Sequence, residues 1–391
     1  MRPHQYTITP KDVDRHAAHL CQTHLKFKDH GPKCRASVLL NILFYAAARI
    51  CSIAAACKAL KDAPSDQAVY DALAATLPEL HELQRRVNRA LAGDLPKALR
   101  RRKQPLAIDL VLIPYHGQHL KDEAEVSRSQ PKSGTSHFHT YATAYVIRKG
   151  CRFTLALTFV RKGEDQKEVV QRLLRQAARV GVKPRYLLLD KGFYSVGVIR
   201  YLQAARYWFL MPVIGRGRKL THPRGPSGTR VYQTWKTSGW SRYTLRDAEG
   251  RTATLSICVK CRNFRGQWKR HGRQKLVYGF WGLAPSSPEW VRVTYRTRFG
   301  IESSYRQLHQ ARIRTRTRDP LLRFLYVAVA LILRNVWVWM HWEVLAERIR
   351  GGRKIELKRL PFRALLLGLQ HLVEDLLGVS DTIPTEYPLL S

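Results

Sequence analysis

The chain has 391 residues, with 68 Lys+Arg against 29 Asp+Glu and a formal net charge of +39. Hydrophobic residues make up 45%, which excludes a disordered basic tail, since this chain has enough apolar surface to fold. The charge excludes an acidic partner-binding protein; on a chain long enough for two or three domains, it points to a polyanion, with nucleic acid first.

Met1 to Lys11 contains no apolar signal core, and the apolar run Phe324 to Leu333 is too short to span a bilayer. No membrane partner is expected, and a cytoplasmic, nucleoid-associated location is. Seven scattered cysteines read as reduced thiols. Cys258-Val-Lys-Cys261 has no second pair at zinc-ribbon distance and reads as two strand cysteines.

Residues 1 to about 98 are predicted helical, with apolar blocks at Ala36–Ala48, Ser52–Leu60 and Ser65–Leu77. Lys61-Asp62-Ala63-Pro64 separates the last two, Ser65 suits an N-cap, and Asp66 suits the first turn. Helix, four-residue turn, helix is the spacing of a DNA-binding helix-turn-helix. It equally suits plain bundle packing, and the third helix is not basic. From residue 104 strands follow: Leu106–Ile113 with the single carboxylate Asp109, then Phe138–Ile147 and Cys151–Val160 joined by Arg148-Lys149-Gly150 as a hairpin. Glu164–Val180 has helical periodicity, and Arg185–Leu189 is a buried-type strand ending at Asp190. Gly192 is expected to permit the tight turn after it. A helix over Ser195–Ala205 and a strand over Tyr207–Val213 complete the order of an RNase H-like sheet, a meander followed by crossovers.

Ile214 to Pro288 breaks that rhythm, with short alternating segments carrying Trp235, Trp240, Trp268 and Trp281. Beyond it, Val293–Ile313 reads as a helix, Leu321–Ile349 as a long amphipathic helix and 361–377 as another. The expected fold class is α/β: an RNase H-like mixed sheet interrupted by an all-β insertion, with a helical N-terminal domain and a helical C-terminal region. The corresponding boundaries are 1–98, 99–213 and 289–345 for the two parts of the core, 214–288 for the insertion, and 346–391.

With only 29 acids in the chain, an acid on a buried strand needs a reason. Unpaired, Asp109 inside Ala107-Ile108-Asp109-Leu110-Val111 would cost several kcal/mol. The proposed sheet sets its strand beside the one ending at Asp190, so two carboxylates meet near one edge. Like charges that close raise each other's pKa unless a cation lies between them, and oxygen-only ligands suit Mg²⁺ or Mn²⁺. Between Arg251 and Arg318 there are 16 Lys+Arg and 2 acids, one of them Glu302. Tyr295, Arg298, Glu302 and His309 fall at i, i+3, i+7 and i+14, along one stripe of the expected helix. That stripe would present one metal ligand flanked by phosphate-binding donors, which suits two-metal phosphoryl transfer. Arg306 lies on the same segment. Arg312, Arg314, Arg316 and Arg318 alternate with Ile313, Thr315 and Thr317, and an extended backbone would align the four guanidinium groups for a DNA backbone. His116, His119, His137 and His139 surround the Asp109 strand without a zinc-like spacing.

Three segments carry a resemblance. Ile108-Asp109-Leu110-Val111-Leu112-Ile113-Pro114-Tyr115-His116-Gly117, Leu189-Asp190-Lys191-Gly192-Phe193-Tyr194 and Tyr295, Arg298 and Glu302 in a Tyr-x2-Arg-x3-Glu-x6-Lys pattern resemble the motifs of DDE transposases of bacterial and archaeal insertion sequences. The resemblance covers about residues 104 to 345, and His309 stands where the pattern has Lys. It implies a metal triad of Asp109, Asp190 and Glu302, two Mg²⁺ or Mn²⁺ ions, and phosphate contacts from Tyr295 and Arg298. It also implies a tryptophan of the insertion against a flipped base or hairpin, double-stranded DNA (transposon ends and target) as partner, and a homodimer on DNA. The implied function is cleavage at transposon ends and joining of the freed 3′-OH to target DNA. A transposase-derived DNA-binding protein that no longer cuts, and a structure-selective nuclease without strand transfer, are the alternatives.

Overall fold

The computed structural model describes residues 8–118, 125–148, 150–265, 271–350 and 352–381. Six helices come first: α1 (Pro10–Leu25), α2 (Ala36–Arg49), α3 (Ile53–Ala59), α4 (Asp66–Thr76), α5 (Leu80–Ala92) and α6 (Lys97–Arg101). Local chemistry sets their starts. Thr9 and Asp12 form a reciprocal capping box on α1, and the hydroxyls of Ser52 and Ser65 accept from the Ala55 and Ala68 amides. The turn between α3 and α4 is closed from outside, because the Lys61 and Asp62 amides donate to the carbonyls of Gly378 and Leu377.

The sheet follows as β1 (Gln104–Pro114), β2 (Ser127–Lys132), β3 (Thr135–Val146), β4 (Thr154–Val160), β5 (Pro184–Leu189), β6 (Phe209–Pro212), β7 (Gly239–Arg246), β8 (Thr252–Arg265) and β9 (His271–Trp281). Helix α7 (Gln166–Arg179) links β4 to β5, and α8 (Val196–Ala204) links β5 to β6. The strand order is β2-β3-β1-β5-β6-β9-β8-β7, with β4 also on β3; β1 is antiparallel to β3 but parallel to β5, and β5 is parallel to β6. This is the expected meander with crossovers. Strand β2 escaped the sequence reading because Ser127–Lys132 is a polar, mostly exposed edge without apolar alternation.

Three segments differ in detail from the expectation. The 214–288 segment is the expected all-β insertion, and its strands also extend the sheet: β9 pairs antiparallel with β6, β8 with β9, and β7 with β8. Strand β6 would otherwise leave an apolar edge unpaired. Second, Val293–Ile313 is not one helix. α9 (Pro288–Arg296) gives way to a 3₁₀ turn at Thr297–Phe299, then α10 (Gly300–Gln310), and Ile313 lies in an extended segment. The Thr297 hydroxyl donates to the Thr294 carbonyl at 2.7 Å, a local bond that competes with the regular ladder. Third, Leu321–Ile349 is neither continuous nor amphipathic. α11 (Pro320–Trp339) runs into a π turn at Met340–Val344, and 347–349 belongs to a small hairpin of β10 (Glu347–Ile349) and β11 (Gly352–Lys354). Every residue of α11 from Leu322 to Val338 is buried, including Arg323 and Arg334, as befits a helix apolar on all sides. The stretch Pro320–Val344 is long and apolar enough to cross a membrane, yet 94% of its apolar window is buried within the protein. α12 (Phe362–Leu377) closes the described chain and shares one continuous core with α2, α11 and the sheet.

Strand β4 shows how the core is sealed. It pairs with β3 on one side, and side-chain amides take the place of a strand on the other. Asn88 of α5 donates to the Leu157 carbonyl (3.0 Å) and accepts from its amide (2.8 Å). Asn335 of α11 does the same for Thr154, donating at 2.8 Å and accepting at 3.0 Å. Gln84 accepts from the Phe159 amide at 3.2 Å. Buried backbone groups left unpaired would each cost about 1–3 kcal/mol. Asn88→Ala is therefore expected to destabilise by about 2–4 kcal/mol in urea denaturation; a loss no larger than a surface substitution would contradict this role for the amide.

Candidate active site

The register of β1 against β5 makes the site. Ile108 lies opposite Leu189 in a parallel pair, so Asp109 and Asp190 follow at matching positions on adjacent strands. Side chains alternate across a sheet. Ile108 and Leu189 enter the main core, whereas Ala107 and Leu188 pack on the other face with Tyr278 and Phe280 of β9 and Val291 and Tyr295 of α9. Two residues on from Ala107 and Leu188, both carboxylates share that second face.

Arg298 completes the pair from the 3₁₀ turn between α9 and α10. Its Nη2 lies 3.1 Å from Asp109 Oδ1 and 2.8 Å from Asp190 Oδ1. Asp109 and Arg298 are 8% and 7% exposed, so this is a charged cluster inside the protein. Asp109 Oδ1 also accepts from the Leu110 amide at 2.9 Å, and Asp190 caps the 3₁₀ turn Lys191–Phe193, its Oδ2 accepting from the Gly192 amide at 3.4 Å. Gly192 itself corrects an expectation. Its backbone is not left-handed and a Cβ there would meet only ordinary contacts at 3.5 Å and beyond, so the turn does not demand glycine.

Tyr295 is also placed differently from the expectation. It is 4% exposed, its hydroxyl donates to the Leu189 carbonyl at 3.3 Å, and its ring lies 5.1 Å from that of Tyr278. The Arg298 guanidinium carbon sits 5.6 Å from its centroid. Tyr295 thus secures the end of β5 and carries Arg298, with no surface left for a phosphate. Glu302 lies in the first turn of α10, on a backbone that stays right-handed helical through Arg296, Thr297 and Gly300; its side chain lies outside the described residues.

Two carboxylate oxygens converging on one cationic nitrogen form a donor set that fits a hard divalent cation, Mg²⁺ or Mn²⁺. Among the described residues no group of three or more His, Cys, Asp or Glu could hold a metal, and Glu302's side chain lies outside them.

The remaining basic residues gather on a groove of about 1600 Å³ between α3, α4, the end of β1 and the extended segment after α10. The Arg314 amide donates to the Cys51 carbonyl at 3.0 Å and ties that segment to the helices. Ile313 is buried while Arg314, Arg316 and Arg318 are exposed, and Arg312 is half-buried. Burial, and then the charge of Arg314, holds Arg312 below the usual arginine range. His309 and His116 line the same groove, joined by Lys132 of β2, which the sequence reading missed with its strand. Partial burial, then Arg312 and Lys132, keep the His309 ring below the ordinary histidine range, so it is neutral at pH 7. Arg306 is exposed on α10. His139 is buried edge-on to Tyr115 at 5.0 Å, His137 is half-buried, and His119 lies outside the described residues.

Of the insertion's tryptophans, Trp240 is exposed (45%), with its ring 5.9 Å from Phe280. Trp235 and Trp281 are half-buried, and Trp268 lies outside the described residues. Trp208, which no motif marked, is 49% exposed and covers Gly282 so closely that a Cβ there would fall 2.3 Å from its ring.

Burial pushes the Asp109 carboxyl up to about 6; Arg298 opposes that rise and Asp190 adds to it. A carboxyl raised on folding stabilises most below its unfolded value and loses that contribution as pH rises through 6. In EDTA, the wild type should therefore lose about 2–3 kcal/mol between pH 4 and pH 8 that Asp109→Asn retains. Thermal melts of both proteins across that range test this, and parallel profiles would contradict it.

The sequence model of the family described as transposase DDE domain matches residues 100–336, well over half of the chain. No curated protein matches significantly. Among solved structures, the chain is similar to the piggyBac transposase in a cryo-EM synaptic complex with hairpin DNA: TM-score 0.57 and 11% identity, over 100% of this chain and 88% of that one. At that identity the likeness is one of fold. The family match and the paired aspartates at the ends of β1 and β5 together lead to one conclusion: this chain belongs to the transposase DDE-domain family.

Proposed function

We propose that this DDE transposase acts on the ends of a bacterial or archaeal insertion sequence, cutting there and joining the freed 3′-OH to target DNA. The observation that carries the reading is the convergence of the Asp109 and Asp190 carboxylates on one point of the sheet face, each within 3.1 Å of the same cationic nitrogen. Asp109 and Asp190 would hold two divalent ions, with Glu302 as the third ligand. Bound there, such ions supply activation of the attacking water or 3′-OH and stabilise the departing 3′ oxygen. The chain's own residues do the rest: the carboxylates bind and orient, Tyr295 keeps β5 in register beside β1, and Arg298 offers positive charge to the phosphate. Arg306, Arg312, Arg314, Arg316 and His309 would line the DNA path, with the helices of 1–98 on the far wall of the groove. Among the described tryptophans of the insertion, Trp240 is exposed and would be suited to stack on an unpaired base. Two ends must be cut in concert, so the active form would be a homodimer on DNA, a reading supported by the synaptic state of the similar fold.

The direct test is cleavage of DNA carrying the sequences that flank this gene, in Mg²⁺, Mn²⁺ or EDTA, with Asp190→Asn beside the wild type. Cuts at the element boundary that need metal and vanish in the variant are expected, with DNA binding retained. Tight binding without a cut under any metal would favour the repurposed DNA-binding protein. Binding itself should weaken steeply with salt. His309→Lys adds a permanent charge to the groove, and is expected to tighten binding and steepen the log–log salt slope by about 0.9, one phosphate's worth. An unchanged slope would remove His309 from the DNA path.

A further inference from the structure

We propose that Arg298 is an internal counter-ion that keeps the aspartate pair closed to divalent metal until a DNA phosphate takes over its guanidinium. The inference rests on the transposase reading and adds to it a control on when metal is bound.

The geometry is specific. One nitrogen, Nη2, contacts Oδ1 of both aspartates, at 3.1 and 2.8 Å. A divalent ion held by these carboxylates would need close approach to their oxygens, about 2.0–2.1 Å for Mg²⁺, and would compete for them with the nitrogen that already contacts both. A guanidinium cannot lose its charge, so the two cations also repel each other there. Arg298 must therefore move for such an ion to enter.

Its departure has a condition. Arg298 is 7% exposed, and a buried charge separated from its partners is strongly destabilising. The guanidinium needs another anion within reach. The cluster opens on one side only slightly: the Asp190 side chain is 29% exposed, against 11% for Asp109 and 8% for Arg298. A phosphate arriving from the Asp190 side can accept the forked N–H groups of Arg298. The carboxylates are then left with a net deficit of positive charge that a divalent ion makes good. The backbone is suited to the exchange. Arg298 sits in the 3₁₀ turn between two α-helices, with its guanidinium carbon 5.6 Å from the centroid of the Tyr295 ring, along which it can move. Metal and DNA then bind with positive coupling, each making room for the other.

The experiment measures Mn²⁺ alone binding to the full-length, DNA-free protein by electron paramagnetic resonance. It compares wild type, Arg298→Gln and Arg298→Lys, with Asp190→Asn to place the ion. If the closed form holds nine-tenths of the molecules, releasing it raises apparent affinity about tenfold. Arg298→Gln should therefore bind Mn²⁺ about tenfold more tightly than the wild type, and duplex DNA carrying the element end should tighten Mn²⁺ binding in the wild type but not in the variant. Arg298→Lys keeps the charge but not the fork, and is expected to fall between the two; it serves if Arg298→Gln does not fold. A folded Arg298 variant that binds Mn²⁺ no better than the wild type would overturn the proposal. So would wild-type Mn²⁺ affinity that DNA leaves unchanged. Neither result touches the cleavage assay, whose failure would be a failure of the transposase reading instead.

Discussion

The structure turns on the parallel pairing of β1 with β5. Two strands in that register deliver Asp109 and Asp190 side by side onto one face, with Asp109 buried. Burial is the largest influence on Asp109 and drives it towards the neutral form, and Asp190 adds to that. The arrangement is tolerable because a cation stands between them. Arg298 supplies it, and to do so it must leave a helix at the right place. The 3₁₀ turn at Thr297–Phe299 provides that place. It tightens the path between α9 and α10, and Arg298 within it reaches both carboxylates.

Helix α9 has to be held at a fixed height above the sheet for this to work, and the insertion does the holding. Tyr278 and Phe280 belong to β9, its last strand, and pack with Val291 and Tyr295 of α9 in the same cluster as Ala107 and Leu188. Glu289 of α9 pairs with Lys260 of β8 at 3.1 Å and with Arg292 in its own helix. Because β9 hydrogen-bonds to β6, and β6 to β5, the support runs through one sheet from the insertion to Asp190. A strand segment that looked like an appendage in the sequence is a wall of the site.

What could be read in the sequence follows what each signal depends on. The strand around Asp109, the strand ending at Asp190 and helix α7 were legible because their patterns are local: apolar runs, a lone carboxylate, a 3.6-residue period. The hydroxyl cap at Ser65 was legible for the same reason. The break at Thr297 was not, because Tyr295, Arg298 and Glu302 keep helical spacing and nothing in their identities announces a 3₁₀ turn. The burial of Tyr295 and Arg298 was not legible either, since a side chain's direction depends on what lies above the helix, here β9 and the two carboxylates. Leu321–Ile349 was read as amphipathic, but Arg323 and Arg334 of α11 are buried. The Arg334 guanidinium instead donates to the Arg152 carbonyl at 2.8 Å and lies 5.6 Å from the centroid of the buried Tyr145 ring. Buried arginines mimic a polar face when only the sequence is in view.

The scarcity of acids has a consequence beyond net charge. Several of the acids are consumed locally by arginines three or four residues away. Glu82 engages Arg85 and Arg86, Glu289 engages Arg292, and Glu356 engages Arg359 at 3.2 Å. Exposed pairs of this kind add little stability, but each offsets an arginine's charge locally. The stretch from Arg312 to Arg318 contains no acid at all, and the backbone bond from Arg314 to Cys51 ties it to the helices, with Arg314, Arg316 and Arg318 exposed. Positive charge is therefore concentrated where the catalytic core faces the N-terminal helices, and negative charge is concentrated at the buried pair under Arg298.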